Sequence, residues 1–170
     1  MVEMAKTIAV SLVFSANPKN DRLMSDRDPR ARAQALVSFY ETLNVDTLQD
    51  LRIFYTPDCF FKDPFNEVRG LQQIERIFQH MFANLTAPRF CVLDCVVDEQ
   101  RIVLTWDFHF FLRSSPHRAQ RIHGASLLRL NAAGLVLEHR DYWDAAGEVY
   151  EKVPLLGAIL KRLRRRLSAT

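Results

Sequence analysis

The stretch Arg101–Leu112 alternates without a break. Ile102, Leu104, Trp106, Phe108, Phe110 and Leu112 share one parity, while Val103, Thr105, Asp107, His109 and Phe111 share the other. Successive side chains point to opposite faces only in a strand, so this segment reads as one. Its wholly apolar face must be covered by other elements, which is the pattern of a half-buried antiparallel sheet. The mixed face suits solvent or a second copy of the chain, since its apolar members still gain from partial cover. On that parity His109 reads as a surface or interface histidine.

The rest of the chain supplies the cover. Asp28 followed by Pro29 is an N-cap with proline in the first helical position. From there Ala33, Leu36, Val37, Tyr40 and Leu43 recur at helical spacing. Asp46 is read as the cap of a short second helix carrying Leu48, Leu51 and Phe54. Tyr55-Thr56-Pro57-Asp58 reads as a turn before a short strand. Leu71, Ile74, Ile77, Phe78, Met81 and Leu85 form the stripe of a third helix, stopped by Pro88. After it the period changes. Strands are expected over Phe90–Val97, Arg101–Leu112, Arg121–Leu130 and Leu135–Trp143, with a polar loop at Arg113–Gln120 and a hairpin turn at Asn131–Gly134. Helices followed by a meander predict an α+β fold in which a curved, mostly antiparallel sheet wraps around three N-terminal helices, with an amphipathic helix at the C-terminus. Residues 1–27 are expected to be a flexible extension, 28–146 the domain and 147–170 a basic tail.

Composition narrows the function classes. A chain of 170 residues that is 48% hydrophobic and 25% charged suits one globular domain. The net charge of +3 is mild and concentrated in Lys161, Arg162, Arg164, Arg165 and Arg166, which argues against a nucleic-acid surface. Cys59, Cys91 and Cys95 form no paired framework. No zinc spacing and no glycine-rich phosphate loop occur, so no metal or other cofactor is expected. The expected compartment is the reducing cytosol. Thr7–Ala16 faintly resembles a signal core, but Glu3 spoils its flank, and the stretch is read as part of the extension. No run reaches the ~20 apolar residues that span a bilayer.

Two stretches carry candidate chemistry. In Phe60-Phe61-Lys62-Asp63-Pro64-Phe65 a carboxylate sits among phenylalanines that favour burial, at the end of a short strand. Desolvated there, Asp63 would be a proton acceptor. Alternatively it caps the turn through Asn66, as Asp-Pro pairs often do. In Leu135–Trp143 one parity holds Leu135, Leu137, His139, Asp141 and Trp143. This face is read as covered, so His139 and Asp141 need partners. Ser126 lies on the inward parity of Arg121–Leu130.

Phe39-Tyr40-Glu41, Asp46, Leu51, Phe54-Tyr55, Asp58, Asp63-Pro64-Phe65 and Gly70, followed by His123-Gly124-Ala125-Ser126 and Gly134 through Asp144, resemble the SnoaL-like and ketosteroid isomerase-like branch of the nuclear-transport-factor-two-like superfamily. The resemblance covers about residues 29–146. It implies a cone-shaped α+β barrel with a deep apolar pocket, usually in a homodimer packed through the sheet. In the isomerases the aspartate at the Asp63 position is the base, paired with a tyrosine and a protonated aspartate as oxyanion donors. This sequence departs at both donors, with Phe39 (beside Tyr40) and Ser126 at those positions. The resemblance therefore does not carry over a steroid-isomerase mechanism. SnoaL-like relatives are polyketide cyclases, and another branch opens epoxides.

The working expectation is a pocket for a small apolar molecule. Asp63, His139 and Asp141 are the acid–base candidates, and Tyr40, Phe61, Trp106, Ser126 and Trp143 line it. Two alternatives stand beside catalysis: a satisfied buried His139 pair, and ligand binding without turnover. In the tail, Leu155, Leu156, Ile159, Leu160, Leu163 and Leu167 oppose the basic residues. That helix either docks on the domain's own barrel mouth or on its dimer mate, or contacts a membrane surface peripherally through residues 155–167.

Overall fold

The computed structural model describes residues 28–153 and 155–169, and the expected extension at 1–27 lies outside them. Helix α1 (Pro29–Glu41) starts as anticipated: the Asp28 carboxylate accepts from Arg30 N at 3.0 Å, and Pro29 fills the first turn. It buries Ala33, Leu36, Phe39 and Tyr40. A 3-10 turn (Leu48–Asp50) runs into the four-residue helix α2 (Leu51–Phe54). Asp46 does not cap this element. Asn44 instead holds the turn, its Oδ1 accepting from the backbone of Asp46 and Thr47. Helix α3 (Leu71–Asn84) buries Ile74 and Phe78.

Six strands form one curved sheet that does not close: β1 (Tyr55–Lys62), β2 (Glu67–Arg69), β3 (Leu85–Asp98), β4 (Arg101–Leu112), β5 (Ser115–Leu130) and β6 (Val136–Trp143), in the order β2-β1-β6-β5-β4-β3. Neighbours are antiparallel except β1 and β6, which run parallel. The inner face of β4 is the apolar parity read from the sequence, with Ile102, Leu104, Trp106, Phe108 and Phe110 all buried. On β5, Ile122, Ser126, Leu128 and Leu130 join them. Helices α1 and α3 cover this face.

The structure corrects four local expectations. The segment read as a polar loop at 113–120 is mostly strand: β5 begins at Ser115 and pairs Ala119 and Gln120 with Phe111 and Phe110. The segment read as a turn at 55–58 is the start of β1. Pro57 is tolerated because the β1–β6 ladder is interrupted between Tyr55 and Phe60, so no partner awaits its missing N–H. Pro88 lies inside β3, where the pairing slips between Thr86 and Arg89. On β6 the parity switches. Arg129 pairs with Glu138 but Leu130 pairs with Val136, so Leu137 is the extra residue of a bulge. Val136 is therefore buried and Leu137 exposed, the reverse of the alternation read from the sequence, while His139 keeps its inward place.

After β6 the chain makes a short helix α4 (Ala145–Glu148), a 3-10 turn (Tyr150–Lys152) and helix α5 (Leu156–Leu167). No helix among the described residues is long and apolar enough to cross a membrane.

Candidate functional site

His139 is the centre of the buried polar groups, only 3% exposed. Its inward placement follows from the β6 bulge, and its ring packs edge-on against Phe61 at 5.0 Å. Five other side chains join through it. Tyr40 Oη meets Tyr55 Oη at 2.6 Å, and Tyr55 Oη meets His139 Nδ1 at 2.7 Å. His139 Nε2 meets Asp141 Oδ1 at 2.9 Å, Ser126 Oγ donates to the same oxygen at 2.5 Å, and Trp106 Nε1 donates to Ser126 Oγ at 2.8 Å.

One proton arrangement satisfies the whole chain. Burial pushes the Tyr40 and Tyr55 phenols well above their ordinary value, so both are O–H donors at neutral pH. Tyr40 then donates to Tyr55, and Tyr55 to His139 Nδ1. The imidazole carries its hydrogen on Nε2 and gives it to the Asp141 carboxylate. No buried side-chain nitrogen or oxygen among the described residues lacks a partner.

Asp141 is where this network meets open space. Both bonds to it end on Oδ1, and Oδ2 receives none from the described residues. Asp141 lines a cavity of about 320 Å³ whose walls include Phe61, Phe78, Phe90, Trp106, Phe108, Phe110, Ile122 and Trp143. A second space of only about 20 Å³ lies behind it, bounded by Tyr40, Ser126 and His139 and sharing Trp106 and Asp141 with the larger one. Trp106 can reach Ser126 because it lies against Gly124: a Cβ there would stand 2.4 Å from the indole Cη2. The inner site thus depends on a residue with no side chain.

The residues singled out from the sequence fall into three groups. Asp141, Trp106, Phe61 and Trp143 line the large cavity, and Tyr40, Ser126 and His139 form the layer behind. Asp63 also borders the cavity, but its carboxylate is engaged. It accepts from the backbone of Phe65 at 2.7 Å and of Asn66 at 2.5 Å, and both oxygens accept from the Asn66 amide. The capping alternative therefore describes Asp63. Nor are all three of its phenylalanines buried: Phe61 is, Phe60 is only partly covered, and Phe65 is 52% exposed, edge-on to Trp143 at 5.1 Å. Tyr55 was missed, because Thr56-Pro57-Asp58 after it imitates a turn. Its helical neighbour Tyr40, inward on the α1 stripe, was the one signal that a buried hydroxyl partner was needed.

An α+β domain with helices packed in a curved, unclosed sheet beside a mostly apolar cavity has the fold of the NTF2-like, ketosteroid isomerase-like class. The SnoaL-like domain family model matches residues 36–139, and the chain belongs to that family. No curated protein matches the sequence. Solved structures show the fold at low identity. An NTF2-like protein of unknown function from Burkholderia pseudomallei is 15% identical over 68% of this chain and 92% of that one, with a TM-score of 0.60. A Mycobacterium tuberculosis LEH-like epoxide hydrolase is 13% identical over 82% and 94%, with a TM-score of 0.59. A hypothetical protein with a ketosteroid isomerase-like fold from Catenulispora acidiphila, in complex with trimethylamine, is 14% identical over 69% and 88%, also at 0.59.

Proposed function

We propose that this domain binds a small apolar molecule and that Asp141, held by His139 and Ser126, takes a proton from it or from a water beside it. The observation that carries this reading is that Asp141 lines a mostly apolar cavity while its Oδ2 accepts no hydrogen bond from the described residues. No lysine or arginine among the described residues lines that cavity, and its other polar lining residues are Asp63, Asn66 and His80, which favours a ligand that brings its own hydrogen-bond donor to Asp141. Enolate chemistry would need a preorganised donor for the developing oxyanion. The nearby donors Tyr40, Tyr55, Ser126 and Trp106 are all committed within the network, to Tyr55, His139, Asp141 and Ser126 in turn. That favours activation of an O–H, an N–H or water over abstraction next to a carbonyl. Asp63 serves in this scheme as the cap of the rim turn rather than as the base. The same committed donors also favour a second reading, binding without turnover.

The test is a panel of apolar epoxides, alcohols and amines, with binding followed by thermal shift and turnover by mass spectrometry. Asp141→Asn keeps the Oδ1 acceptor for His139 and Ser126. It should retain binding of neutral ligands and lose turnover. Undiminished turnover in that variant would remove Asp141 as the base, and binding with no turnover in either form would select the second reading. We further propose that two copies pack through the outer sheet face. Val96, Val103 and Tyr142 are exposed there beside the Asp107–His123 pair. Sedimentation velocity reads the mass directly.

A further inference from the structure

Helix α5 is attached to the domain the wrong way round for a core helix. Its contacts run through Gly157, Leu160 and Arg164. Gly157 is buried against the 3-10 turn, where a Cβ would stand 2.2 Å from the Glu151 carbonyl oxygen. Arg164 bridges Asp144 at 3.2 Å and Glu151 at 3.1 Å. Of the apolar stripe only Leu160 joins this inward side, and Leu163 and Leu167 border a groove beside it. Leu156, Ile159, Leu163 and Leu167 stay exposed. Docking of the whole leucine stripe on the chain's own domain, one expectation for this tail, is not what the contacts show.

A helix that leaves Ile159 and Leu167 mostly exposed and Leu156 and Leu163 about half exposed leaves most of its apolar stripe uncovered in this state. What covers it is indicated by the rest of the helix surface. Lys161, Arg162, Arg165 and Arg166 are exposed on the face that opposes the stripe, and Leu156–Leu167 contains no acidic residue. Four exposed charges of one sign on so short a helix disfavour a second copy of the same helix as the cover. They match an interfacial helix lying on anionic lipid, with leucines at the acyl boundary and arginines among the headgroups. We propose that residues 155–167 are a docking surface for an anionic phospholipid membrane, held in place by the Gly157 and Arg164 contacts. The inference does not depend on what the pocket holds.

The experiment is co-sedimentation of the full chain with phosphatidylcholine vesicles, with and without phosphatidylglycerol. Binding is expected only to the anionic vesicles and should weaken with added salt. Each basic side chain near such a surface contributes about 1 kcal/mol, about fivefold in affinity. The exposed triple variant Arg162→Ser/Arg165→Ser/Arg166→Ser should therefore bind roughly 150-fold more weakly, with its thermal unfolding unchanged. Ile159→Ser/Leu163→Ser should abolish binding while keeping the charges. No binding to anionic vesicles, equal binding to neutral ones, or wild-type binding by the triple variant would each overturn the proposal. So would a self-associated species that the Ile159→Ser/Leu163→Ser pair dissolves in the absence of lipid.

Discussion

The direction of the hydrogen bonds around His139 makes a prediction whose sign is unusual. Tyr40 stands at the end of the chain and Tyr55 inside it. Tyr40→Phe removes one donor, and Tyr55 keeps its bond to His139, so the loss should be about 1 kcal/mol, an ordinary buried hydrogen bond. Tyr55→Phe strands two groups at once, the Tyr40 O–H and the His139 Nδ1 lone pair. Each stranded group costs ~1–3 kcal/mol, so the loss should be roughly 2–6 kcal/mol. The order of the single variants is the first check. The second is sharper. Once Tyr55 is Phe, the Tyr40 hydroxyl is a buried donor without a partner, and removing it relieves a penalty. Tyr40→Phe should then be neutral or stabilising, by about 1 kcal/mol, in the Tyr55→Phe background. Urea unfolding followed through Trp106 and Trp143 fluorescence measures all four corners of the cycle, with equal m-values confirming that the same transition is compared. If Tyr40→Phe costs the same in both backgrounds, the two hydroxyls are not in series, and the tautomer deduced for His139 loses its basis.

Three further outcomes follow from the same geometry. Gly124→Ala forces the Trp106 ring off β5. It should cost about 1–3 kcal/mol by overpacking and change the near-UV circular dichroism. Burial pushes the Cys59 thiol up to about 12 and raises both Tyr40 and Tyr55, so the native state holds protons that the unfolded chain releases. Stability should be complete below the unfolded thiol's ~8.5 and fall as pH rises towards the native value, with a slope of about 1.4 kcal/mol per pH unit for each such group; Cys59→Ala should make the alkaline limb less steep. Asp63→Ala removes the cap of the rim turn. It should lower stability by about 1–2 kcal/mol and leave any turnover within a few-fold, whereas a loss matching that of Asp141→Asn would return Asp63 to the chemistry.

The parts of the fold legible in the sequence are those set by uninterrupted periodicity. The alternation of Arg101–Leu112, the α1 cap at Asp28-Pro29 and the α3 stripe each involve many residues that agree, so a single exception does not reverse the reading. What was not legible depends on single residues out of step. The extra residue at Leu137 shifts the β6 parity for Val136 and Leu137, and nothing in the local composition marks it, because both residues are apolar. Pro57 suggests a turn by its chemistry, and it sits in β1 only because the facing strand does not pair there. On α5 the amphipathic pattern is plain. Which stripe docks was decided by the close approach Gly157 allows and by two distant carboxylates that hold Arg164.

The same distinction separates the two carboxylates proposed for chemistry. Asp63 looked the stronger base in the sequence because its neighbours are aromatic. An aspartate before proline, however, has backbone N–H groups within reach two and three residues on, and here the carboxylate turns to them. Its lone pairs are then spent on a structure that the rim of the pocket needs. Asp141 has no such local donors, because its strand neighbours give their N–H groups to the sheet. Its partners must come across the sheet or along the strand: Ser126 from β5, paired directly opposite, and His139 two residues back on the same face. Both bonds end on one oxygen, and Asp141 also lines the large cavity. The carboxylate is oriented by its neighbours while its second oxygen accepts from none of the described residues. On that difference rests our proposal that Asp141, and not the turn-closing Asp63, exchanges a proton with a ligand.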